Sequence, residues 1–98
     1  MTIELKKFGT TLSSRPAGKE AYASFLPSLK ELSADEKIEI DFDGIGSLSP
    51  SWADEFLTPL RDQYLERLIL LPTDNLSAKV TIQLLEEIRQ KPFAKKFL

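Results

Sequence analysis

The sequence predicts a one-domain α/β sandwich over residues 1–98, built on a mixed sheet with helices mainly on one face. Three observations carry that prediction. Apolar residues alternate at period two in two short stretches, they recur at helical spacing in three longer ones, and the two patterns take turns along the chain as β-α-β-α-β-α.

Each element has its own signal. In residues 2–6, Ile3 and Leu5 fall on one side and Thr2, Glu4 and Lys6 on the other, the pattern of a half-buried strand. Gly9 ahead of residues 10–12 suggests a hairpin return. Ser13, Ser14, Arg15 and Pro16 mark a helix start, since proline in the first turn gives up no hydrogen bond. Ala17, Ala21, Phe25, Leu26, Leu29 and Leu32 follow at helical spacing, and Pro27 predicts a kink or a break among them.

Residues 37–43 give the clearest strand. Ile38, Ile40 and Phe42 share one face; Lys37, Glu39, Asp41 and Asp43 share the other. Strands covered on both faces read as continuous apolar runs, so this alternation argues for helices on one face and water on the other. Only residues 67–71 read as buried on both sides. Ser49 and Pro50 open a second helix in which Trp52, Phe56, Leu60 and Tyr64 make a core-facing stripe, with Pro59 expected to bend it. Residues 72–75 turn the chain into a last helix, where Val80, Leu84, Leu85 and Ile88 are expected to face inward and Pro92 marks the end.

Composition removes whole classes of chemistry. With no His and no Cys among 98 residues, a Ser–His–Asp or Cys–His triad, a disulfide framework and a zinc finger are all impossible within this chain. Acid–base work would fall to Asp, Glu, Lys or Tyr, and no cofactor or metal site is expected. A net charge of −2 supplies no field for phosphate backbones, so nucleic acid is a poor default partner. The charged start of the chain is unlike a secretory signal, and the apolar run at residues 68–71 is far short of the ~20 residues a membrane-spanning helix needs. A cytoplasmic protein without a membrane partner is the expectation.

Two constellations bear on function. Asp41 and Asp43, in a hydrophobic strand ending Asp-x-Asp-Gly, look like the first motif of Mg²⁺-dependent haloacid-dehalogenase-type phosphatases. Such enzymes carry it on their first strand and need a later Lys and a distal acidic pair; the plain reading is two solvated strand residues. The second constellation is Ser47, Ser49 and Ser51 ahead of Trp52, Asp54 and Glu55, at the carboxyl end of a strand where α/β sheets tend to place binding sites. Ser51 with Asp54 three residues on has the form of a short capping box, and Ser49 before Pro50 is an equally valid cap. The alternative to a cap is a switch, a phosphate facing the helix-start N–H groups. Arg15 is either a surface residue or a partner of Asp54 or Glu55. In the last eight residues Phe93, Phe97 and Leu98 alternate with lysines; they either pack on the core or form a docking tail.

The run at residues 38–56, preceded by Arg-x-x-Gly at residues 15–18, resembles the STAS-like family of unknown function, a relative of the STAS domains of anti-sigma factor antagonists. The resemblance covers most of the chain. In those antagonists a strand ending in Asp leads to Asp-Ser-Ser-Gly, whose second Ser is phosphorylated by a partner kinase. Asp41 then matches the strand Asp and Ser51 the phosphorylated Ser, while Ser49, Pro50 and Trp52 stand where that motif has Asp, Ser and Gly. The resemblance implies a STAS-like sandwich and a non-enzymatic regulatory module. Its protein partner, of the histidine-kinase-like ATPase kind, would be engaged through residues 44–55 with Ser49, Ser51, Asp54, Glu55 and Arg15. A small-ligand or nucleotide-binding module would use the same surface, and a half-exposed sheet face leaves self-association open.

Overall fold

The structure is a computed structural model that describes residues 1–96. Its elements run β1 (Thr2–Glu4), β2 (Thr11–Leu12), α1 (Arg15–Leu29), β3 (Ile38–Asp41), β4 (Ser47–Leu48), α2 (Pro50–Tyr64), β5 (Leu68–Leu70), α3 (Leu76–Arg89) and β6 (Ala94–Lys95). Short 3-10 turns follow β1 and α2.

Four strands form the main sheet in the order β1-β3-β5-β6, and every pair in it is parallel. The expected mixed sheet is therefore corrected. A helix lies between each consecutive pair of these strands, and a crossover through a helix returns the chain in the same direction. The strand order never reverses, so right-handed crossovers put all three helices on one face. Burial agrees. Ile3, Ile40 and Leu70 share a register row, as do Ile38 and Leu68, and all five are buried. Glu4, Glu39, Asp41 and Ile69, on the opposite face, are only half-buried. Residues 67–71 thus alternate like the other strands instead of being covered on both sides.

The expected hairpin at Gly9 is absent. Strand β2 instead pairs in parallel with β4 in a separate two-stranded sheet, Thr11 opposite Ser47 and Leu12 opposite Leu48. Both strands belong to connections, one before α1 and one before α2, and neither alternates long enough to be read from sequence. The main-chain carbonyl of Thr10 accepts from Gly46 at 2.7 Å and that of Leu12 from Ser49 at 2.8 Å, which fixes the start of α2 against the start of α1.

Helix α1 begins where the proline placed it. The Ser14 hydroxyl accepts from the Ala17 amide, and Gly18, Ala21 and Leu29 are buried. Ala17 and Leu26, expected in its apolar stripe, are exposed. The helix continues through Pro27 for two residues, because proline in a last turn deprives only the carbonyl of Ala23 of its donor. Helix α2 carries the core as expected. Trp52, Phe56 and Leu60 are buried, and Trp52 stacks on Phe56 with ring centroids 5.0 Å apart, beside Phe8 and Phe25.

The orientation of α3 is the main correction. Ala78, Thr81, Ile82 and Leu85 face the core, whereas Val80 and Ile88 are 55% and 62% exposed and Leu84 is also outward. The cause lies across the interface, at the edge strand β4. The Ser77 hydroxyl accepts from the Leu48 amide at 2.9 Å and donates to its carbonyl at 3.1 Å, while Thr81 donates to the same carbonyl at 2.7 Å. A buried edge strand needs those partners, and meeting the need draws Ser77 and Thr81 inward and turns Val80 out.

The chain end is docked at β6. Phe93 is buried under Arg61, whose guanidinium lies 4.6 Å from the ring centre and donates to the Lys91 carbonyl at 2.9 Å. Packing is thus the role of Phe93; Phe97 and Leu98, named with it as a tail, lie outside the described residues.

Candidate functional site

Residues 44–55, led in by strand β3, build the surface to which the sequence pointed. Strand β3 ends in a turn in which the Asp41 carboxylate accepts the Asp43 amide at 2.9 Å, and Gly44 follows at φ +87°, a conformation that favours glycine. Asn75 ties this loop to α3. Its side-chain N–H groups donate to the carbonyls of Ile45 (3.1 Å) and Gly46 (3.2 Å), and its side-chain oxygen caps α3 at Ala78. Asp41 is therefore occupied in shaping a turn. Among the described residues no group of three or more His, Cys, Asp or Glu could hold a metal ion.

The helix cap is Ser49. Its hydroxyl accepts from the Trp52 amide at 3.1 Å, with Pro50 as the first helical residue. Ser51, read as an alternative cap, sits one position inside the helix, half-buried, and among the described residues its hydroxyl makes no hydrogen bond. The capping site is set by where the backbone turns helical, and proline's fixed φ puts that point at residue 50.

Arg15, Asp54 and Glu55 come together, as one of the two sequence readings required. A single Arg15 nitrogen donates to Asp54 and to Glu55, at 3.1 Å each. Sequence reasoning missed the fourth member, Arg89 at the end of α3, which reaches Asp54 at 2.7 and 3.3 Å. Thr58, one turn along α2, adds a hydroxyl at 2.7 Å. The only sequence signal for Arg89 was a cation in a helix's last turn, which is ordinary. Asp54 is 9% exposed, and both of its oxygens are occupied by these donors. Burial pushes its carboxyl up, but the hydrogen bonds from Arg89, Thr58 and Arg15 outweigh burial and bring it down to about 2. The same bonds raise both guanidiniums above their ordinary range. One carboxylate thus joins the start of α1, the first turns of α2 and the end of α3.

Gly18 completes the contact. It lies one turn after Arg15, and a Cβ there would fall 2.4 Å from the Trp52 carbonyl oxygen. Only glycine lets α1 approach α2 so closely. The Arg-x-x-Gly at residues 15–18 and the end of the run at residues 38–56 are therefore the two sides of one helix–helix contact. Arg15 meets Asp54 and Glu55, Gly18 meets the Trp52 backbone, and the Trp52 and Phe56 rings fill the core beneath.

The model of one protein family, described as a STAS-like domain of unknown function, matches residues 17–87, well over half of the chain. The chain belongs to that family. No curated protein and no solved structure matches the chain. In this STAS-like domain the matched span holds Gly18, Trp52, Asp54 and Glu55, while the two arginines that pair with Asp54 lie just outside it, at positions 15 and 89. No helix of the described residues is long and apolar enough to cross a membrane.

A cleft of about 480 Å³ lies beside the site, between residues 42–45 and 72–75. Asp43 and Asp74 line it and no Lys or Arg does, which is the wrong charge for a phosphate.

Proposed function

We propose that this STAS-like domain is a non-enzymatic regulatory module that binds a protein partner through residues 44–55 and the adjoining outer face of α3. The observation that carries the reading is the apolar stripe on that face. Leu76, Val80 and Ile88 are 73%, 55% and 62% exposed, with Leu84 between them, one residue per turn along the helix. Leu76 lies between Asn75 and Ser77, both hydrogen-bonded to the segment at residues 45–48, so stripe and loop form one surface. Contiguous exposed apolar residues rimmed by polar ones mark interaction sites. Ser49 and Ser51 lie on the loop side, and Arg15 and Glu55 at its border.

Within that reading the Asp54 network holds the surface rigid, and Ser51 is the residue open to modification. Phosphate there would add about two negative charges at the first turn of α2, where the helix dipole favours them. Asp54 and Glu55 would oppose such a charge if bare, but Arg15 and Arg89 offset them. A partner of the histidine-kinase-like ATPase kind fits this arrangement. The domain is read as cytoplasmic and as acting without metal or cofactor.

The test uses one identified partner. Proteins retained by the wild-type chain from a native lysate are identified, and the leading candidate is purified and titrated calorimetrically. Val80→Asp and Ile88→Asp, both exposed, should weaken binding at least tenfold while melting normally. Unchanged affinity in both variants would remove α3 from the interface. Mg²⁺-dependent phosphatase turnover that Asp41→Asn abolishes would replace the whole reading with an enzymatic one.

A further inference from the structure

On the other flank of α3 a second cleft, of about 490 Å³, opens between that helix and the carboxyl ends of β3, β5 and β6. Its size falls within the range of small-molecule sites, about 300–1,000 Å³. Phe42, Leu70 and Ile82, all core residues, form its floor. Its rim is basic: Lys79, Lys95 and Lys96 stand against a single carboxylate, Glu86. That carboxylate is already neutralised, since one of its oxygens accepts from the Lys95 ammonium and from the Phe93 amide, the latter at 2.8 Å. Lys96 reaches only Glu39, at 3.5 Å, and Lys79 makes no ion pair among the described residues. Phe42, Leu70 and Ile82 are themselves nearly buried, and the apolar surface still open to water is supplied by the half-buried Leu71 and the exposed Pro72, with Lys79, unpaired among the described residues, and the loosely paired Lys96 at the rim.

We propose that this cleft binds an amphipathic anion, a free alkyl carboxylate. The hydrocarbon chain covers the Phe42, Leu70 and Ile82 floor, and the carboxylate meets the Lys79 and Lys96 ammonium groups at the rim. An apolar floor alone would accept any greasy ligand; the lysines choose the charge and fix which end points outward. The site shares neither loop 44–55 nor the outer stripe of α3, so it stands or falls independently of the partner-binding reading.

The test is a titration of the full chain with sodium octanoate and decanoate below their micelle concentrations, read by calorimetry and by backbone amide NMR shifts. Binding should tighten about twofold to fourfold per added methylene, with shifts confined to residues lining the cleft. Methyl decanoate, uncharged, should bind at least tenfold more weakly, and decylammonium should not bind there. Lys79→Glu should weaken decanoate at least tenfold with an unchanged melting temperature, and Lys96→Glu should do the same. Equal binding of the neutral ester, shifts centred on Leu76 and Val80, or no binding at millimolar decanoate would each overturn the proposal. So would tight binding to phosphatidylglycerol vesicles without binding of the free acid, because the ligand would then be a membrane surface.

Discussion

The α1–α2 contact and the two flanks of α3 are opposite kinds of surface. At the first, the buried groups are matched: Asp54 takes four hydrogen bonds, Gly18 allows backbone approach, and Trp52 lies flat on Phe56. At the second, Leu76, Val80 and Ile88 face outward, and the cleft on the far flank shows its apolar floor beneath lysines. Of the residues that gave the chain its family resemblance, Arg15, Gly18 and the segment from Trp52 to Phe56 sit in the first, while residues 38–48 form β3, its loop and β4. The chemistry of those contact residues is internal docking, while the outward apolar residues belong to α3, where sequence pattern had assigned Val80, Leu84 and Ile88 to the core.

The contrast can be tested from the strongest effect down. Trp52→Ala should cost about 3–5 kcal/mol, comparable to the whole stability of a small domain, because it empties a buried aromatic stack. Loss of a cooperative thermal transition is the expected readout; a variant that melts near the wild-type temperature would mean that the ring belongs to a binding surface.

Acid should weaken the contact next. The Asp54 carboxyl is depressed in the folded chain to about 2, below its ordinary 3.8, so its contribution is fully present above about pH 4 and is lost as pH falls through 2. Integrated over that window it amounts to about 2 kcal/mol. Glu36 is also depressed, by the chain's amino terminus and the Ser33 amide, and so adds its own loss of stability on acidification. The difference between wild type and Asp54→Asn isolates the Asp54 share. Urea midpoints between pH 2 and 5 should converge at the acid end, and parallel curves would show that the network adds nothing.

The smallest effect separates two neighbouring serines. Ser49→Ala should lose about 1 kcal/mol with the cap, whereas Ser51→Ala should stay within about 0.5 kcal/mol. A loss from Ser51→Ala larger than that from Ser49→Ala, measured by denaturant unfolding, would instead put the cap at Ser51.

The features legible in the sequence were those that a few consecutive residues specify. Alternation at residues 37–43 located β3 and its buried Ile38, Ile40 and Phe42, because successive strand residues point to opposite faces whatever lies around them. Prolines 16 and 50 located two helix starts, since a fixed φ and a missing N–H are properties of the residue itself. Four-residue spacing put Trp52, Phe56 and Leu60 inside. Arg15 was offered two fates, and its pairing with Asp54 and Glu55 was one of them.

What tertiary structure alone decided were partnerships between distant segments. Strand β2 found β4 rather than β1, because backbone groups at loop ends take whichever partner the packed helices bring near. Arg89 reached Asp54 from 35 positions away, and nothing local distinguishes it from any other helix-terminal arginine. Helix α3 shows the principle most fully. Its sequence has apolar residues on more than one side, so periodicity allows several rotations about its axis. The two hydroxyls demanded by the Leu48 backbone selected among them, turning Ser77 and Thr81 inward and leaving Val80 and Ile88 in water. Hydrophobic pattern fixes that a helix has an inside; a buried polar group on the neighbouring element fixes which side that is.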